Sequence, residues 1–452
     1  MSELRNWGSA LLVLLLALVA RGEQPNVILL ITDDMNLKMV GAYSGQVETP
    51  NLDRLVREGS SFMNAYNMGA WGPAVCIPSR TMLNTGKSLW RAKEAAEGEW
   101  KGRLWSELMR EGGYATYFTG KWHCEAGPRL EALFDEVGLK TPGQLSWRKE
   151  GRMVPWDREL GGFWTEEGHM TDRTAADVIR FVEEAAGGEK PFFIYAGFNL
   201  PHVPRQAEKR YFELYPKSEI ELPLNMKERS EDVEMKWAKK VTPDLVRSRY
   251  QENFAMVAHF DESVGRILES VEKSDAAKDT VVIFMSDHGI NLGENGVVGK
   301  ECLYDLSMQA PLVFWGAGIE SGKRFEAGVY LQSVMPTVLE MGEVVVPGEV
   351  EFPSLGPVLR GDREVVQEVV YGAFEERMRC LVDGNWKLIR YFKPEGVVDR
   401  LFDLGNDPLE AEDLAGREET GPVVERLRKR LSEEARMRGD PMAEQLGSGG
   451  AR

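Results

Sequence analysis

The plainest pattern along the chain is an alternation of short apolar runs with longer amphipathic stretches. Asn26 to Thr32 reads NVILLIT, with apolar side chains on both alternating faces. A run of that kind predicts a strand covered on both sides, as in a parallel sheet. Tyr114 to Thr119, Phe192 to Ala196, Val281 to Ser286 and Pro311 to Trp315 are further buried parallel strands by the same reading. Between them, Asn51 to Glu58 follows Thr49-Pro50, a helix start signal. Residues 172 to 185 place Ala175, Val178, Ile179 and Val182 on one helical face. Residues 244 to 273 do the same with Phe254, Val257, Ala258, Val264, Leu268 and Val271. Strands alternating with helices predict an α/β fold, a doubly wound and mostly parallel central sheet flanked by helices.

The pattern changes along the chain. Residues 125 to 168 and 203 to 243 are long and weakly periodic, which in a compact domain points to functional loops. Trp147, Trp156 and Trp164 in the first either shape a substrate cleft or pack that loop onto the body. Beyond about 345 the segments 366 to 374, 378 to 382 and 385 to 391 read as short antiparallel strands, and 422 to 438 as a charged amphipathic helix. A catalytic domain over 23–345 and a small α+β subdomain over 346–445 follow, with a disordered tail at 446–452. At the other end, Arg5, an apolar run from Ala10 to Ala20 and small residues at Ala20 and Gly22 form a signal peptide over 1–22. A short uncleaved anchor is the alternative, and either places the mature chain outside the cytoplasm, periplasmic or secreted. No stable membrane span is expected after cleavage.

A length of 452 residues allows a sizeable core without disulfides. The net charge of −17 argues against nucleic acid or an anionic membrane as a partner. An anionic substrate would therefore need a local basic pocket. The four cysteines, Cys76, Cys124, Cys302 and Cys380, are too widely spaced for a zinc site or a small disulfide scaffold.

Polar residues collect where the predicted strands end. The first strand runs into Asp33-Asp34, the second into Gly120-Lys121-Trp122-His123, the next into Asn199-Leu200-Pro201-His202, and the fourth into Asp287-His288-Gly289. Ligands of open α/β sheets bind beyond the carboxyl ends of the strands. Of five histidines, three stand at such ends, a placement chance would seldom give. Asp33 and Asp34 alone read equally as a loop or helix-cap pair. Together with Asp287 and His288 they favour a hard divalent cation, which relieves the repulsion of adjacent buried carboxylates. Pro78 suits a first helical turn and Gly86 a helix end, so Cys76 would sit at a helix N-terminus, which favours anions. On its own, Cys76 reads as a buried free cysteine. His259 falls mid-helix and His169 just before a helix, so structural packing, capping or surface contact is expected of both.

Cys76-Ile77-Pro78-Ser79-Arg80 resembles the C-x-P-S-R signature of type I sulfatases, of the alkaline-phosphatase-like superfamily. The similarity extends over most of the chain: Asn26 to Asp34, Gly120-Lys121-Trp122-His123, Pro201-His202-Val203-Pro204, and Ser286-Asp287-His288-Gly289 with Lys300. Asn385 to Ile389 and Leu401 to Leu404 resemble that family's C-terminal subdomain. The Asp-His pair at 287–288 is similar to the iduronate-sulfatase-like variant, where many members have Asn. Cys124 replaces a frequent Leu, and Asn295 a frequent His.

The resemblance implies a sulfuric ester hydrolase acting on sulfate monoesters, with sulfated carbohydrates or small molecules as substrates. It implies that a formylglycine-generating maturation enzyme converts Cys76 to formylglycine. It also implies one calcium ion per chain, held by Asp33, Asp34, Asp287, His288 and the modified Cys76. Arg80, Lys121, His123, His202 and Lys300 would surround the formylglycine and the sulfate. The hydrated aldehyde would attack sulfur, His202 or Lys300 would protonate the departing alcohol, and His123 would take the proton that releases sulfate. A phosphoester or phosphonate monoester hydrolase on the same fold, or a non-catalytic glycan-binding protein, are the rival expectations. A structural envelope protein is a weaker one, resting on the signal peptide alone.

Overall fold

The computed structural model describes residues 24–141, 164–165, 168–234 and 240–447. The expected signal peptide, Trp147, Trp156 and the last five residues lie outside them. An eight-stranded sheet forms the body. Its strands are β1 (Asn26–Thr32), β2 (Ser60–Tyr66), β3 (Ala115–Lys121), β4 (Glu136–Thr141), β5 (Phe192–Gly197), β6 (Thr280–Ser286), β7 (Leu312–Gly316) and β8 (Lys323–Tyr330). Their order across the sheet is β8-β2-β7-β6-β1-β5-β3-β4. β1 lies in the middle, parallel to β5 and β6. The chain leaves β1 toward one side for β2 and returns on the other for β3. This change of direction opens a crevice at the carboxyl ends of β1, β5 and β6.

Alternate residues of β1 serve two cores. Ile28 and Leu30 pack with Val178, Val182, Phe254, Val257 and Val264, from helices Met170–Ala185 and Pro243–Lys273. Val27, Leu29 and Ile31 pack on the other face with Trp105, Leu108, Val334 and Val338. Burial on both faces explains why β1 lacks a polar side, and the mixed α/β layering is as expected from the runs.

Three features of the sheet differ from the sequence expectation. β7 is antiparallel to both β6 and β2, because its apolar run records burial and carries no direction. β2 and β8 were not expected as strands: β2 (SSFMNAY) carries polar residues, and β8 is a partly exposed edge. In β2, Ser60 donates to the Glu320 carbonyl at 2.7 Å, and Asn64 to that of Glu326 at 2.8 Å. The stretch from 125, expected to be loop, contains the edge strand β4, paired to β3.

A second sheet is formed by β9 (Val369–Phe374), β10 (Met378–Asp383), β11 (Trp386–Lys393) and β12 (Gly396–Asp403), an antiparallel meander. Helix Gly421–Met437 packs on it through Val424, Leu427 and Leu431. The pair Gly69–Ala70 joins its edge beside β9, so the two sheets are linked within the first hundred residues. A Cβ on Gly69 would fall 1.9 Å from the Ala373 carbonyl oxygen. Residues 446 and 447, expected as the start of a disordered tail, close a short helix instead, and Leu446 is buried. No helix among the described residues is long and apolar enough to cross a membrane.

Candidate active site

Three strand ends and one helix start converge in the crevice. Asp33 and Asp34 follow β1, and the Asp33 amide donates to the Leu200 carbonyl at 3.2 Å. Asp287 follows β6, with its amide on the Thr32 carbonyl at 3.2 Å. Lys121 ends β3, and Cys76 opens the helix Cys76–Thr85, which stops at Gly86 with φ 68°. That helix therefore starts and ends where the sequence placed it. Gly120 permits the approach to β5 just before Lys121: its φ is 93°, and a Cβ there would meet the Gly197 carbonyl oxygen at 1.9 Å. Asp34 and His123 adopt left-handed backbone, φ 68° and 55°, rare outside glycine and typical of constrained functional positions.

All the expected site residues come together here. The Cys76 thiol is buried, with the Lys121 ammonium 3.6 Å and the Lys300 ammonium 3.9 Å from its sulfur. Its remaining neighbours include His123 and His288. Burial alone would raise the thiol's pKa, but Lys300 and Lys121 bring it well below the ordinary value. Lys121 also binds Asp33, and Lys300 binds Asp34 at 2.6 Å. Burial opposes charge on Asp33, yet Lys121 and His202 hold it well below the usual carboxylate range. His202 stands toward solvent, its Nε2 3.9 Å from Asp34. Arg80 is fully buried under the site. Its Nε donates to Asp287 at 2.9 Å, and its other nitrogens to the carbonyls of Lys121 at 2.8 Å and Thr32 at 3.2 Å.

The donor set fits a divalent cation. One ligand atom each from Asp33, Cys76, Asp287 and His288 lies within 4.8 Å of the others. Asp33 Oδ1 and His288 Nε2 are buried and make no hydrogen bond. His288 Nδ1 lies 2.8 Å from the Gly289 carbonyl, so that nitrogen carries the proton. Nε2 then points toward Asp34 and Asp287 oxygens at 3.4 and 3.5 Å. A ring nitrogen facing two carboxylates needs a positive charge between them, a proton or a metal cation. Burial opposes charge on His288, but Asp287 chiefly raises it to about 9, so a bound cation would displace the Nε2 proton.

Two positioning groups were not singled out by the sequence: Ser79 stood only as a letter of the Cys76 motif, and Gln332 carried no signal. Ser79 donates to the Asp287 carbonyl at 2.5 Å, and Gln332 donates to Ser79 at 3.3 Å. Both are uncharged polar residues whose value lies in where the fold puts them. His169 and His259 lie outside this site. His169 caps its helix by accepting from the Thr171 amide, and His259 pairs with Asp172 at 3.0 Å and stacks on Tyr211. Cys124, Cys302 and Cys380 are free thiols.

A model of the sulfatase family matches residues 25–344, and one described as N-sulphoglucosamine sulphohydrolase, C-terminal, matches 293–437. The chain belongs to the sulfatase family. It is a sulfuric ester hydrolase of the alkaline-phosphatase-like fold. A sulfatase of Formosa agariphila is 26% identical over 438 residues, covering 86% of this chain and 82% of its own. A solved structure in complex with its substrate D-glucosamine-2-N,6-O-disulfate matches with TM-score 0.75 at 20% identity, over 94% of this chain and 100% of its own. A phosphonate monoester hydrolase from Silicibacter pomeroyi matches with TM-score 0.73 at 20% identity, over 92% and 96%. At such identities the two solved structures speak for the shared fold.

Proposed function

We propose that this sulfatase cleaves sulfate monoesters of carbohydrates, using formylglycine made from Cys76 by a maturation enzyme and one calcium ion. Asp33, Asp34, Asp287, His288 and the modified residue 76 would hold the ion, and hard carboxylate oxygens dominate that set. The cation supplies Lewis acidity, and the hydrated aldehyde supplies one hydroxyl to attack sulfur and a second to release sulfate. Lys121 and Lys300, both beside Cys76, would bind the sulfuryl oxygens and offset charge that grows in the transition state. Arg80 orients Asp287 and supports the helix turn that carries residue 76. His202 or Lys300 would protonate the departing alcohol; His202 is the more exposed of the two, at 20% against 10%. His123, a neighbour of Cys76, would accept the proton that frees sulfate.

The observation that carries this reading is the position of Cys76: first residue of a helix, between two ammonium groups, at the rim of a cation-binding donor set. Charge favours sulfate over a phosphate monoester. Asp33, Asp34 and Asp287 balance Arg80, Lys121 and Lys300, so a divalent cation leaves two positive charges. One matches the single charge of a sulfate monoester, and one the charge on the attacking oxygen. The sugar preference draws support from the structural neighbour bound to a disulfated glucosamine. Export to the periplasm or medium is part of the proposal, on the strength of the N-terminal segment.

Mass spectrometry of the tryptic peptide ending at Arg80, from protein co-produced with a formylglycine-generating enzyme, reads the modification directly. Loss of the thiol in favour of an aldehyde is expected, and Cys76→Ala should retain the fold with no turnover. Sulfatase activity unchanged in Cys76→Ala would sink this mechanism.

A further inference from the structure

Beside the sulfate pocket lies a second basic feature that the mechanism does not use. Arg205 follows His202 by three residues, on the loop after β5, and Arg249 sits on the helix Pro243–Lys273. The two guanidinium groups share a single carboxylate, Glu252. Arg249 Nη1 lies 2.7 Å from it, and Arg205 Nε 3.5 Å. Among the described residues no hydrogen bond reaches Nε of either arginine, although both atoms are buried. Arg80, by comparison, has a partner for each of Nε, Nη1 and Nη2. The Arg205 and Arg249 side chains remain 14% and 24% exposed, so each is partly open to solvent although its Nε is not.

Two cations on one carboxylate leave a positive charge that no other ion pair among the described residues balances. Burial, and then Arg249, push Arg205 down to about 10, while Glu252 and the active-site carboxylate Asp34 oppose the shift. Arg205 lies three residues beyond His202, whose Nε2 is 3.9 Å from Asp34, so its loop borders the cation site. In a chain of net charge −17, an under-compensated arginine pair there is no average property of the surface.

We propose that Arg205 and Arg249 form a subsite for a second anionic group, a carboxylate or a further sulfate, on the sugar that bears the scissile sulfate. The inference rests on the sulfated-carbohydrate reading above. The planar fork of a guanidinium matches either oxyanion through two parallel hydrogen bonds. The bound anion would pair with the solvent-facing part of the two guanidinium groups and neutralise the surplus charge.

The test is calorimetric binding to the calcium-loaded Cys76→Ala protein, which cannot turn over. Three ligands are compared: a neutral sugar monosulfate, a sulfated uronic acid, and a disulfated hexosamine. At least one of the last two should bind about tenfold tighter than the first, the scale of one charge-assisted contact. Which of them does so separates a carboxylate from a second sulfate. Arg205→Gln and Arg249→Gln, which retain side-chain bulk, should each erase most of that advantage and leave monosulfate binding within about twofold. Equal affinity for all three ligands, or an advantage that survives both substitutions, overturns the inference. Turnover of the same three sulfated sugars by the matured wild-type enzyme keeps the two readings apart. Activity there, without an arginine-dependent preference, removes only the subsite. No activity removes the sulfatase mechanism and the subsite with it.

Discussion

Arg80 offers the most quantitative test of how the site is held together. It is wholly buried, as is its partner Asp287, and the pair is closed at 2.9 Å. Replacing Arg80 by Met keeps much of the volume but strands the Asp287 carboxylate. Breaking one side of a buried pair costs about 3–5 kcal/mol, because the remaining charge has lost its compensation. The carbonyl of Lys121 also loses a donor, worth about 1 kcal/mol more. That of Thr32 loses less, since it keeps the Asp287 amide. A total near 4–6 kcal/mol is therefore expected from these terms. Urea unfolding in the presence of a chelator measures it without a contribution from bound metal, and coincident fluorescence and circular dichroism transitions license the comparison. The double substitution Arg80→Met, Asp287→Asn removes the stranded charge and should regain at least half of the loss. A cost below about 1 kcal/mol for Arg80→Met, or no recovery in the double variant, would refute the argument that this pair is energetically closed.

The remaining predictions concern the cation and an acid-sensitive helix contact. Chelation should lower the thermal midpoint and calcium restore it, in proportion to the logarithm of free calcium; Asp34→Asn should abolish the restoration, and a calcium response that persists in that variant would remove Asp34 from the ligand set. Asp172 is held at about 2 in the fold: burial opposes the shift, but His259 and then Arg266 outweigh it. A folded pKa below the unfolded one gives stability that is complete above about pH 4 and lost as pH falls through about 2. With partial solvent screening, about 1 kcal/mol is at stake. Asp172→Asn should flatten the acid limb of a stability–pH profile and lower stability at neutral pH by a similar amount; an unaltered profile would contradict it.

What could be read from the sequence follows from how far each signal reaches. β1 was legible because burial on both faces leaves seven residues with hardly a polar atom among the apolar side chains. The direction of β7 was not, since an apolar run is the same in either orientation. β2 hid behind Ser60, Ser61 and Asn64; Ser60 and Asn64 find their backbone partners only once the fold exists. The same distinction runs through the site. Asp33, Cys76, Lys121, His202 and Asp287 sit at element ends, and their neighbours in sequence mark them. Ser79 was visible only as a letter of the Cys76 motif, and its bond to the Asp287 carbonyl spans 208 residues. Gln332 reaches Ser79 across 253. No local pattern encodes a contact of that range.

The site also explains why its acidic and basic residues must be considered together. In the folded chain Asp33 is paired with Lys121, Asp34 with Lys300 and Asp287 with Arg80, so three buried charges of each sign cancel before any cation enters. Pairing of this kind is the condition under which buried charges are tolerated at all. A cation that binds Asp33 and Asp34 competes for the same oxygens and releases part of the hold on Lys121 and Lys300. Those ammonium groups are then available to an incoming sulfate, within about 4 Å of Cys76. Metal binding would thus assemble the anion site from groups otherwise neutralised by these carboxylates, and loss of the cation should weaken sulfate binding even where the nucleophile is intact. The order of events follows from electrostatics: cation first, anionic substrate second.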